Sequence, residues 1–275
     1  ASTDNTDAVI HKILAEKIIT IHHIRFENNS GKHIAHNKAI EIASGELFTV
    51  IDSDDEIEPN ALEYAIDCWD AIPEPEKKAL CGMYFGCKVY DGPNNSSEKD
   101  APSITTNDAE MQYKLNLVGD RWAVRKTEVF REFPFPQDWV GHYYPEGIIW
   151  KKMGSVYNTI VYAKELYIVH HDNTNSIMRG KRTLQTAAQY VCVNVADDLN
   201  NYLKYAKYRP QIFIGAIIRF FVYSFFTQNP VATWKTLNVT SALLVLLFLP
   251  FDIAGLVVFY VIQIYRKING TSAFS

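Results

Sequence analysis

The sequence predicts an α/β domain with a mostly parallel sheet, followed by an α-helical hydrophobic tail. Three observations carry that expectation. Leu47-Phe48-Thr49-Val50-Ile51 is a short apolar run rich in β-branched and aromatic residues, the pattern of a buried strand. It breaks at once into Asp52-Ser53-Asp54-Asp55-Glu56, after which Pro59 opens a stretch with Leu62, Ala65, Ile66 and Trp69 at helical spacing. Strand, acidic turn and helix make half of a βαβ unit, and ligands of open α/β sheets collect at the carboxyl ends of strands. Finally, the composition turns apolar after residue 180, which divides the chain into residues 1–180 and a helical region at 181–275.

Composition narrows the classes. With 275 residues, 48% hydrophobic and 21% charged, the chain is globular and not disordered. A formal charge of −4 offers no basic field, so no nucleic-acid partner is expected. The four cysteines, Cys68, Cys81, Cys87 and Cys192, have no zinc spacing and suit a reducing compartment as small buried residues.

Taken in order, Thr6 or Asp7 can cap a helix bearing Val9, Ile10, Ile13 and Leu14. Ile18–Phe26 reads as a strand, with His22 and His23 as strand residues. Ser30–Ala43 reads as a helix with Ala35, Ala39, Ile42 and Ala43 on one face, stopped by Gly45. Lys32 and His33 at its start stand where a helix N-terminus meets anions, and a solvated Lys32 is the plainer alternative. A strand is expected at Lys78–Tyr90, with a polar excursion from Ser97 to Asn107 after it. Tyr144-Pro145-Glu146 begins a short helix, and Val156–Val169 reads as two strands around Lys164-Glu165.

The tail begins with a long amphipathic helix at Thr183–Tyr208, its stripe formed by Leu184, Ala187, Val191, Val195, Leu199 and Tyr202. Ile212–Phe226 is almost wholly apolar. Ala242–Leu249 and Ile253–Ile262 are divided by Pro250-Phe251-Asp252, and each is too short for a hydrocarbon core that needs about 20 residues. Joined, they are long enough to span, although Asp252 at the centre costs about 2.5–3.5 kcal/mol against roughly 0.3–0.6 gained per Leu, Ile, Val or Phe. The region is therefore read as membrane-associated, peripheral or re-entrant, with a buried hairpin or dimer interface as the soluble alternative.

Crowded carboxylates at Asp52–Glu56 repel unless a cation sits among them, and hard oxygen donors suit Mg²⁺ or Mn²⁺ together with a diphosphate. A solvated turn near a helix start is the simpler reading of the same residues. The segment Gly31-Lys32-His33-Ile34-Ala35-His36-Asn37, leading into Asp52-Ser53-Asp54-Asp55, resembles the family-2 glycosyltransferases of the GT-A fold. Within them it is similar to a bacterial subgroup with a GKHxAHN helix and a DSDD form of the DxD motif. Gly119-Asp120-Arg121-Trp122, Phe133-Pro134-Phe135-Pro136 and Tyr144-Pro145-Glu146 with Trp150 follow in the family's order, over roughly residues 1–180.

The resemblance implies a metal-dependent, inverting sugar transfer in cell-surface polysaccharide synthesis. The donor would be a nucleotide diphosphate-sugar, a UDP-sugar first among them, and the acceptor a glycan or lipid-linked hydroxyl. It implies Asp54 and Asp55 as ligands of Mn²⁺ or Mg²⁺, with His171 as a further ligand. Lys32, Asp52, Asp54, Asp120 and Trp122 would contact the donor and Glu146 would be the catalytic base, with Asp120 or Asp138 as replacements. Gly147 stands where the subgroup often has serine. Ala1–Asp7 resembles the turn after the family's second strand, which implies a domain incomplete at its N-terminus. The expected location is the cytoplasmic face of the bacterial membrane. A non-catalytic remnant acting as a binding or membrane scaffold is the competing class, and a metal phosphotransfer enzyme a third.

Overall fold

The computed structural model describes residues 2–90, 103–117, 119–139, 143–170 and 183–268. The chain opens with α1 (Thr6–Glu16) and α2 (Lys32–Ile42), then the short strands β1 (Leu47–Thr49) and β2 (Glu56–Ile57) on either side of the acidic turn. α3 (Ala61–Asp70), α4 (Glu74–Lys77), β3 (Leu80–Val89) and β4 (Ile104–Thr106) follow. Next come α5 (Asp108–Glu110), which runs into a π-helical turn at Met111–Leu115, then β5 (Arg121–Lys126) and α6 (Thr127–Glu132). α7 (Glu146–Gly154) and the long β6 (Asn158–Val169) complete the sheet. The helical region holds α8 (Leu184–Asn201), α9 (Pro210–Ser224), α10 (Pro230–Trp234), α11 (Val239–Leu247) and α12 (Leu249–Ile268).

The strand order is β1-β5-β3-β6-β2, with β4 also on β6. The α/β class stands, but the sheet is mixed. Among the described residues only β3 and β6 pair in parallel, and the other pairings are antiparallel. Apolar runs report burial and not direction, so the mostly parallel expectation had no local support. The expected strand at Ile18–Phe26 forms no ladder, and Ile18 and Ile19 are exposed. A strand needs a neighbour for its N–H and C=O groups; this segment instead lies along α1 and α2, where Ile21, Ile24 and Phe26 help line an apolar groove of about 350 Å³. The two strands expected within Val156–Val169 are one strand, and a register shift opposite Tyr84–Gly86 bulges it at the position read as a turn. Part of the excursion expected at Ser97–Asn107 is β4, paired to β6; residues 91–102 lie outside the described residues.

The sheet is packed on both sides. Met83 and Phe85 of β3 meet Ala61, Ala65 and Trp69 of α3, while Cys81 packs with Val129, Ile149 and Met153 of α6 and α7. The α3 stripe differs from expectation, since Leu62 and Ile66 are about half exposed while Ala61, Ala65 and Trp69 are buried. Small residues let this helix lie close to the sheet. On α2 the buried face is His33, His36 and Ile40, not the alanine face. Gly82 lies so close to β5 that a Cβ there would stand 2.3 Å from the Val124 carbonyl oxygen.

The helical core joins Cys192, Val195 and Leu199 of α8 to Phe213, Ile217 and Phe220 of α9, and takes in Ala109 and Tyr113 from before residue 180. The helix expected over Thr183–Tyr208 ends at Asn201. The apolar stretch after it breaks at Phe248, where α11 gives way to α12. Among the described residues no helix is long and apolar enough to cross a membrane.

Candidate functional site

The acidic turn opens onto a cleft of about 910 Å³ whose wall includes Lys32, Asp52, Asp54, Asp55, Asp120, Trp122 and Glu146. Every site residue expected from sequence is there except His171, which lies outside the described residues.

The turn is tied to the end of β6. The Asp52 N–H donates to Tyr167 Oη at 3.0 Å, and the Tyr167 hydroxyl donates to Asp55 Oδ2 at 3.0 Å. The backbone N–H of His170 donates to Asp55 Oδ1 at 3.0 Å, and the Asp55 N–H to the Asp52 carbonyl at 3.1 Å. Asp55 is thus held through both oxygens, while Asp54 is exposed at the rim. Burial holds the Tyr167 phenol above its ordinary range, so it remains a proton donor at neutral pH.

Lys32, the first residue of α2, stands between the turn and α7. Its Nζ lies 2.8 Å from Asp52 Oδ1, 2.9 Å from Asp52 Oδ2 and 3.5 Å from Glu146 Oε1. Burial opposes its charge, but Glu146 and Asp52 outweigh burial and raise its pKa. Glu146 begins α7 immediately after Pro145, where the helix dipole favours a carboxylate. Burial raises the Glu146 carboxyl above its usual value, Lys32 pulls it back, and Asp52 pushes it up again. A carboxylate raised in this way is a stronger base than an ordinary one.

His36 lines the cleft from the next turn of α2, packed edge-on to Phe48, Phe130 and Phe135. Burial, with Lys32 adding to it, lowers its pKa to about 4, so the ring is neutral. Asn37 and Phe135 clasp each other. The Asn37 amide donates to the Phe135 carbonyl at 2.8 Å, and the Phe135 N–H donates back to Asn37 Oδ1 at 2.9 Å. This ties the Phe133-Pro134-Phe135-Pro136 loop to α2. Trp122 lines the cleft with little exposed surface. It is 2% exposed, between Phe85 at 5.7 Å and Tyr167 at 6.4 Å, so it is chiefly a core residue. Asp120 is exposed on the cleft wall, and Asp138 is exposed outside it.

Residues 1–133 match the family model described as Glycosyl transferase family 2. Over this part, just under half of its length, the chain is similar to glycosyltransferase family 2. The matched stretch contains Lys32, the acidic turn, Asp120 and Trp122, while Glu146 lies beyond it. Over 204 residues the chain is 22% identical to the glycosyltransferase GlyG of Streptococcus pneumoniae serotype 4, covering 69% of this chain and 64% of GlyG. The chain thus spans less than two thirds of that relative's length. Its fold is similar to that of S. aureus TarS 1–349 in complex with UDP-GlcNAc, with a TM-score of 0.56 and 16% identity over 93% of this chain and 78% of TarS. Against TarS in complex with UDP the TM-score is 0.55, with 14% identity over 93% and 77% of the two chains.

Sequence reasoning missed Tyr167, which stitches the turn, and the buried groups beneath the cleft. Arg125 is fully buried, bonded to Tyr84 Oη and, at 3.1 Å, to Asp108 Oδ1, and Tyr84 and Asp108 line the cleft. Their strand and helix positions carried no signal, because they are adjacent only after the sheet forms.

Proposed function

We propose that this chain transfers a sugar from a nucleotide diphosphate-sugar, a UDP-sugar first among them, to a hydroxyl of a glycan or lipid-linked acceptor in cell-surface polysaccharide synthesis. The observation that carries the reading is the juxtaposition of Asp52 and Glu146 in one cleft, bridged by Lys32 at 2.8 and 3.5 Å. The donor class is supported by the family-2 match over residues 1–133 and by the likeness to the TarS complexes with UDP-GlcNAc and UDP.

Asp54 and Asp55 offer hard oxygen donors at the cleft, a set that fits Mn²⁺ or Mg²⁺. Such ions take one or two carboxylates and complete their shell with diphosphate oxygens and water. Bound there, the cation would stabilise the charge that develops on the departing diphosphate. Lys32 adds a fixed positive charge at a helix start, suited to the same anion. Glu146 takes the proton from the acceptor hydroxyl as that oxygen attacks the anomeric carbon in line, so the configuration inverts. Such assistance is worth typically 10²–10⁴-fold.

Outward-facing Leu243, Leu246 and Leu247 of α11 and Val257, Val258 and Val261 of α12 support contact with a membrane surface, on its cytoplasmic face in this reading. The test is a panel of UDP-sugars with Mn²⁺ on the full chain. Glu146→Gln should retain donor binding and lose turnover by about 10²–10⁴-fold. Turnover surviving within a few-fold removes Glu146 as the base. Asp54→Asn with Asp55→Asn should abolish Mn²⁺-dependent UDP binding by calorimetry, and unchanged affinity overturns their role as metal ligands.

A further inference from the structure

Lys151 is a buried charge for which the proposed reaction has no use. It lies on α7 five residues after Glu146 and is 2% exposed, whereas its neighbour Lys152 faces solvent. Its ammonium reaches α8, where it stands 2.9 Å from Asp197 Oδ2 and pairs with Asp198 Oδ1. Tyr113 Oη is 3.3 Å from the same nitrogen, and the Tyr113 hydroxyl donates to Asp198 Oδ1 at 2.5 Å. The rings of Tyr202 and Tyr113 enclose the cation at 4.8 and 5.8 Å.

A buried ammonium is costly unless it is fully partnered, and a lysine is long enough to reach water where water is near. This one is drawn inward to two carboxylates that are themselves buried in α8. The rest of α7's hold combines apolar packing of Ile148, Ile149 and Met153 with Lys32 at 3.5 Å from Glu146 and the Arg125 guanidinium 5.2 Å from the Trp150 ring. Apolar packing is non-directional, whereas hydrogen bonds fix angle and register. At its other end the first turn of α7 has no side-chain cap. At about 1.5 Å per residue, Glu146 sits roughly 7.5 Å along the axis from Lys151. A small tilt or slide at Lys151 therefore shifts the carboxylate within the cleft.

We propose that Lys151 is a positioning residue: clasped by Asp197 and Asp198, it fixes α7 against α8 and so sets where Glu146 stands opposite the acidic turn. The helical region is then a structural part of the site. This rests on the reading of Glu146 as the base.

Removing Lys151 alone leaves two buried carboxylates unpaired and risks the fold, so the informative variant neutralises the whole cluster as Lys151→Met, Asp197→Asn and Asp198→Asn. Lys151→Arg keeps the charge. Hydrogen exchange of the full chain should show the amides of residues 146–154 opening at least tenfold faster in the neutral variant, with those of β3 unchanged. UDP binding should be retained, kcat should fall at least tenfold with the donor KM little altered, and Lys151→Arg should recover most of the loss. Exchange in α7 that stays at the wild-type rate overturns the clamp. Faster exchange with wild-type kcat overturns its positioning role. If the wild-type chain turns over no donor in the panel, the glycosyl-transfer reading fails, while the exchange measurement still decides whether Lys151 holds α7.

Discussion

At the scale of single residues, Lys32 carries the most testable electrostatics. It lowers the Glu146 carboxyl while burial and Asp52 raise it. Lys32→Met should therefore push that carboxyl higher and move the acidic limb of the kcat/KM profile to higher pH. A limb that stays in place would mean that the ammonium does not govern the base. His36 offers a second check. Its folded pKa of about 4 lies below the ordinary 6.5, so the unfolded chain binds the extra proton between those values. Stability should be intact above pH 6.5 and fall as the pH drops towards 4, by up to about 1.4 kcal/mol per pH unit. Chemical denaturation across that range checks it, with His36→Leu expected to flatten the slope; buried His33 contributes in the same direction. The carboxylates of the turn were legible because acidic residues straight after an apolar run are conspicuous. Tyr167 and Lys151 were not, because an aromatic strand residue and a helical lysine look ordinary until their partners arrive from the acidic turn and α8.

At the scale of elements, close approach decides more than periodicity does. Gly82 combines φ of 147° with a Cβ position 2.3 Å from the Val124 carbonyl oxygen, so any side chain there must part β3 from β5. Gly82→Ala should destabilise by about 1–3 kcal/mol or more through overpacking and backbone strain. Thermal melts check it, and an unchanged Tm would show that the two strands can separate freely. The α3 stripe makes the same point about legibility. Its helical spacing was readable, but the buried side is chosen by how near the sheet the helix must lie, and Ala61 and Ala65 permit what Leu62 and Ile66 would not. Strand direction was beyond reach for a similar reason. β5 enters between β1 and β3 antiparallel to both, and nothing in Arg121–Lys126 says so.

At the scale of the whole molecule, the helical region is bound to the sheet domain through Tyr113, Lys151 and α8, yet leaves an apolar face outward on α11 and α12. Its apolar weight was plain in the sequence, but which face is covered depends on α9, whose Phe213, Ile217 and Phe220 are buried and could not be removed without opening the core. Membrane association is therefore tested by changing Leu243, Leu247, Val257 and Val261 to serine. Co-sedimentation with anionic lipid vesicles should fall severalfold while the melting profile is kept. Equal sedimentation of both proteins would assign this face to another partner. The stitch at Tyr167 also gives the molecule a built-in optical reporter. Its hydroxyl joins Asp52 and Asp55, and its ring stacks 6.4 Å from that of Trp122. Mn²⁺ arriving at the acidic turn should therefore quench indole emission, and Trp122→Phe, among the five tryptophans, should abolish that part of the signal.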